Sequence, residues 1–201
     1  MPCAFEWLGE PGAPQDAELG GEYCISGGDC RFGLAVEPPS SAFKEEDHWA
    51  SRAAAEAAKV GAAALRMRPD ECSAAVARAF AACPDAGDAW TARGLRNTSS
   101  HEEALACFVA GSAAARRALA PALLSELSES HGLTTAQLRD RKLRTPWLVH
   151  PALPVVRAMA VEAAALRKLG RWAEAADAVE QLHAFDAGTH VDISFWCAIT
   201  P

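Results

Sequence analysis

Apolar residues recur along the chain at helical spacing, in alanine-rich segments punctuated by proline and glycine. That period argues for amphipathic helices. Ser40 and Ser41 can cap a first helix, and Glu45, Glu46 and Asp47 suit its positive end. The pattern predicts a helix from about Phe43 to Asp47, through Trp49, to about Met67. Pro69 closes it, because a residue before proline is pushed out of the α region. Pro69 also opens a second helix that runs to about Cys83 and stops at Pro84. A third runs from about Asp88 to Leu95. After the polar stretch Asn97 to Ser100, Ser99 or Ser100 caps a fourth, with Glu102 and Glu103 in its first turn. It continues to about Leu119, where Pro121 interrupts.

The text then becomes less regular. Leu123, Leu124 and Leu127 extend an apolar stripe that Gly132 breaks. Thr134 or Thr135 caps a short helix through Leu143. Pro146, Pro151 and Pro154 predict an extended connector. The last hairpin is Val155 to Leu169, a turn at Gly170, and Trp172 to Phe185. Val191 to Pro201 carries Ile193, Phe195 and Trp196. It can open a further helix, as in a fragment, or pack as a cap.

Residues 1–43 differ. Gly and Pro are dense, and Phe5, Trp7, Leu8, Tyr23 and Phe32 offer something to bury. The reading is an irregular arm on the helical body, with a strand or hairpin around Glu22 to Val36, or a disordered segment. The predicted organisation is therefore an arm at 1–43 and a helical-repeat domain at 44–201, with an inserted connector at about 120–154. The fold class is all-α, built of stacked antiparallel helical hairpins.

Composition sharpens this. Half of the 201 residues are apolar, with only seven Phe, six Trp and one Tyr as large rings. Alanine lets helices approach closely and has the highest helix propensity. The formal net charge of −7 lacks the basic footprint of a nucleic-acid binder. The cluster Arg139, Arg141, Lys142 and Arg144 reads as a solvated face. The first residues lack the basic and apolar regions of a secretory signal, and no long uncharged apolar run predicts a membrane span. Seven cysteines then imply free thiols in a reducing, cytoplasmic compartment.

One spacing stands out. Pro84 and Asp85 precede Trp90, and Gly94 lies one turn after Trp90. Glu103, Ala104 and Leu105 lead to Phe108. Later, Leu166, Leu169, Gly170, Trp172, Glu174 and Ala175 precede Val179, Leu182 and Asp186-Ala187. These residues resemble the tetratricopeptide repeat. In it small residues let two helices touch and large ones fill the notch beside them. The pattern pairs Gly94 with Ala104 and Ala163 with Ala175. It places Trp90 with Phe108, and Trp172 with Leu182, as notch fillers, with Trp90 buried between its helices.

The order of pieces is similar to that of the suppressor of tumorigenicity seven family. The matching pieces are Asp88-Ala89-Trp90, Glu103-Ala104-Leu105 with Arg116 and Arg117, Arg157-Ala158, Leu169-Gly170-Arg171 and Glu174-Ala175. The resemblance covers roughly residues 65 to 190. Three features depart from a regular tandem array: a short loop between Gly94 and Ala104, a long helix after Ala104, and the separation of the hairpins. The resemblance implies a helical-repeat scaffold and carries over no catalytic residue. The family's membrane segments find no counterpart in this sequence.

Chemical motifs are sparse. Cys24 and Cys30 are too widely spaced for an ordinary zinc pair. Cys72 and Cys83 read as small core residues on one helix face. His183, Asp186, His190 and Asp192 form the best candidate metal or acid/base cluster, yet plain helix-end chemistry already explains them and is the favoured reading. No phosphate-binding glycine loop or nucleophile motif is present. The expectation is a non-enzymatic module with no cofactor and no metal. It would bind a peptide or helix of a partner protein along a face lined by Arg93, Arg96, Arg116, Arg117 and Arg157. The alternatives are a structural subunit of a larger assembly, and a metal- or thiol-dependent enzyme subunit.

Overall fold

Eight α-helices account for most of the residues that this computed structural model describes, 48–143 and 150–186. Those residues are 78% helix with no strand. Among the described residues the first helix does not run through Trp49 as expected but begins after it. Ser51 is its N-cap, and the Ser51 hydroxyl accepts from the Ala54 N–H at 3.1 Å. Helix α1 is Arg52–Ala64. Trp49 stands outside it, in an isolated antiparallel bridge to Leu119. There the Ala50 N–H donates to Ala118 O and the Ala120 N–H to His48 O, both at 2.8 Å. The Ala118 carbonyl lies just past a helix end, where backbone acceptors lack intrahelical partners. The expected start at Phe43 to Asp47, the arm at 1–43 and the tail at 191–201 lie outside the described residues.

Helices α2 (Pro69–Ala82), α3 (Gly87–Arg96) and α4 (His101–Arg117) fall close to where the sequence puts them. At the start of α4, the Ser100 hydroxyl accepts from the Glu103 N–H at 3.1 Å. Glu103 accepts in return from the Ser99 N–H at 2.9 Å and hydroxyl at 2.7 Å. Those two donors hold the Glu103 carboxyl below its ordinary pKa.

The stretch 120–154 is more helical than expected. Pro121 begins α5, Pro121–Ser130, at a position where its missing N–H costs nothing. The expected short helix is α6, Thr135–Asp140, with Thr134 and Gln137 forming a capping box. The proline connector is not extended where it is described. His150–Ala152 is a 3₁₀ turn, and Pro154 lies in the first turn of α7, Leu153–Lys168. Gly170 turns the chain at φ +71 into α8, Trp172–Phe185.

Helices adjacent in sequence pack together: α1 on α2, α3 on α4, α7 on α8. The long-range contacts centre on α3 and α4. Helix α4 packs along α7, and α3 touches α1, α2, α4 and α7. Small residues make this possible. A Cβ on Gly61 would come within 2.8 Å of the Ala89 backbone nitrogen, and one on Gly87 within 3.0 Å of Gly111 O. Backbones approach there as closely as the polypeptide allows.

The expected approach of Gly94 to Ala104 is present, and it seats the Phe108 ring. The notch fillers differ from expectation. Trp90 is half-buried and turns toward α2: its ring lies 4.8 Å from that of Phe80. Its indole N–H donates to Pro84 O at 3.1 Å, which explains the Pro84–Trp90 spacing. Phe108 is the fully buried ring, and Trp172 is 42% exposed while Leu182 is buried. Helix α8 meets α7 through Ala175 and Ala178, leaving Trp172 outside.

Removing a buried ring costs about 3–5 kcal/mol, whereas surface truncation is nearly neutral. Phe108→Ala should therefore lose about 3–5 kcal/mol in urea melts and Trp172→Ala less than about 1 kcal/mol. Equal losses would contradict this packing.

Candidate functional site

The five arginines singled out by sequence fall into different environments. Arg93 and Arg96 occupy the last turn of α3, both exposed, where cations complement the helix dipole. The Arg93 guanidinium lies 5.6 Å from the Trp90 ring centroid. Arg117 is exposed and pairs with Asp85 at 2.8 Å, a contact worth under about 1 kcal/mol in solvent.

Arg157 does not line a surface. Its side chain is 9% exposed and meets Asp88, at 1%. The bond is bidentate: Nε donates to Oδ1 at 2.9 Å and Nη2 to Oδ2 at 2.6 Å. These residues lie 69 positions apart and join α3 to α7. Sequence reading missed Asp88 as a buried partner. The available signal was a carboxylate set among Ala86, Gly87 and Ala89, small residues that leave no polar surroundings.

Arg116 differs from all of these. It sits in the last turn of α4, half-buried. Its Nη2 reaches the Met159 sulfur of α7 at 3.5 Å, and its guanidinium covers the Phe185 ring of α8 at 4.6 Å. Burial lowers the Arg116 pKa from its ordinary value. Beside it opens a recess of about 140 Å³ lined by Leu119, Leu124, Leu127, Ser128, His131 and Phe185. A second recess shares His131 and runs along Asp177, Glu180, Gln181 and Ala184 of α8.

Among the five, Arg116 is the one that lines either of these two recesses. Arg93 and Arg96 share α3, and Arg157 belongs to the interior.

The other candidate chemistry is scattered. His183 is exposed on α8 and Asp186 is buried just beyond it, while His190 and Asp192 lie outside the described residues. Among the described residues, no group of three or more His, Cys, Asp or Glu is placed to hold a metal ion. Cys72 and Cys107 are buried, and that burial raises both thiol pKa values. Both thiols stay protonated at neutral pH, the unreactive form. Cys83 is half-buried at the end of α2, one residue past the helix. Cys3, Cys24, Cys30 and Cys197 lie outside the described residues. No described helix is long and apolar enough to cross a membrane.

Removing one partner of a buried ion pair leaves an uncompensated charge and costs about 3–5 kcal/mol. Arg157→Met should lose that much in denaturant melts, and Asp88→Leu combined with Arg157→Met should recover most of it. A loss below about 1 kcal/mol for Arg157→Met would show the pair to be dispensable.

Compared with protein-family models, curated proteins and solved structures, this chain matches none.

Proposed function

We propose that this protein is an interaction module or scaffold of the tetratricopeptide type, which binds a peptide or helix of a partner protein. The reading rests chiefly on one packing observation. In the pair of α3 and α4, Gly94 seats the Phe108 ring and the Ala104 backbone. In the other, Ala163 and Ala175 are buried in one cluster with Leu166 and Ala178. Small residues at matching places suit two copies of one hairpin. The short connectors 65–68, 97–100 and 169–171 between packed helices suit antiparallel pairs. Hairpins of this kind bury their apolar faces by stacking and leave an extended surface for partners.

On this reading the exposed arginines of α3, Arg93 and Arg96, supply charge for an acidic partner segment. The interior pair Asp88–Arg157 holds the scaffold and takes no part in binding.

Crosslinking to the full chain in native extract, followed by mass spectrometry, identifies a partner to be purified and titrated. The change of Arg93→Glu with Arg96→Glu should weaken its binding by about tenfold or more, the size of a 1.4 kcal/mol loss. Thermal melts should show the variant still folded, with only the small loss that removing two helix-end cations brings. Undiminished binding by the folded variant would contradict this role for α3. A purified chain that turns over a substrate would contradict the non-enzymatic reading.

A further inference from the structure

Arg116 presents an electrostatic problem that the described chain leaves unsolved. A guanidinium carries five N–H donors and a permanent charge. Here one donor faces a thioether sulfur, a weak acceptor, and the plane covers an aromatic ring. No carboxylate of the described residues pairs with it, whereas Arg117, Arg157 and Arg171 each hold one. A half-buried cation gains from an anionic partner, and an arriving carboxylate supplies one.

The space beside the guanidinium has a definite character. Four of its lining side chains are apolar: Leu119, Leu124, Leu127 and Phe185. Two are polar, Ser128 and His131, and among the described residues no acidic side chain lines it to repel an anion. The volume is about 140 Å³. An apolar cavity of about 150 Å³ holds one benzene molecule. Apolar side chains with a few polar groups among them are the usual lining of a small-molecule site.

We propose that the recess between the C-terminal ends of α4, α5 and α8 binds a compact monocarboxylic acid. The carboxylate sits on the Arg116 guanidinium, and the apolar body lies against Leu119, Leu124, Leu127 and Phe185. Ser128 and His131 stand at the polar edge, where each can donate to a carboxylate oxygen. A dicarboxylate fits poorly, because the neighbouring recess carries Asp177 and Glu180. This site stands independently of the interaction reading, which uses the exposed arginines of α3.

The test is a titration of the full chain, labelled with ¹⁵N, with 4-methylpentanoate, benzoate and their two amides. The acids should give saturable amide shifts at residues 124–131 and near Phe185. The amides should bind at least about tenfold more weakly, since they lack the charge that the guanidinium pairs with. Arg116→Gln should abolish acid binding, and Arg117→Gln should leave it intact. If Arg116→Gln fails to fold, the comparison of acid with amide in the unaltered chain decides. Absence of saturable shifts with either acid, or equal binding of acid and amide, would overturn the proposal. A further arm uses acetyl-Ala-Ala-Leu with a free carboxylate. Tighter binding of this peptide than of 4-methylpentanoate would overturn the small-molecule assignment in favour of a chain terminus.

Discussion

A carboxylate buried to 1% exposure must have a partner, and the partner of Asp88 comes from 69 residues away. That requirement orders the molecule. Asp88 stands in the first turn of α3, where the helix dipole also favours a negative charge. Its neighbours leave no tolerance. Gly61 of α1 lies against Asp88 and Ala89, and Gly87 against Gly111 and Ala115 of α4. Three successive residues, Gly87, Asp88 and Ala89, thus meet α1, α4 and α7. The ion pair need not be the largest source of stability, since a buried pair roughly balances its own desolvation. Its effect is on register: Arg157 has one place to go, and α7 follows it.

The recess inherits that register. Arg157 fixes how α7 lies along α4, and Met159, two residues on, then meets Arg116. Helix α8 follows α7 through the tight turn at Gly170 and delivers Phe185 under the same guanidinium. Helix α5 supplies Leu124 and Leu127, and Leu119, just before it, is tied by the bridge to Trp49. Sulfur and ring thereby pack against the Arg116 guanidinium, and Arg116 also lines the recess. Interior and candidate site are linked through the backbone of a single helix, without direct contact between the two arginines.

Much of the helical text was legible because its determinants are local. Ser100 with Glu103, Thr134 with Gln137, and Gly170 announce helix ends through hydrogen bonds and φ values that neighbouring residues decide. Gly94 and Ala104 were legible for the same reason, since smallness at a helix contact needs no partner identity. Prolines misled in one direction. Pro121, Pro151 and Pro154 read as breaks, yet each sits in or beside a first helical turn, where proline is tolerated. Trp90 and Trp172 were misplaced because size alone does not say which neighbour a ring faces. Asp88–Arg157 and the Arg116 recess depend on distant segments, and no spacing along the chain encodes those meetings.

The central claim is that α3 is the element on which the others converge, so it should open only when the whole protein opens. Residue-resolved amide hydrogen exchange under native conditions measures this directly. The account predicts that Ala89 to Ala92 exchange at the free energy of global unfolding, together with the buried turns of α4 and α7. Amides of α8, at the margin of the assembly, should exchange through smaller openings. Exchange of α3 by local opening, at lower free energy than α8, would contradict the account.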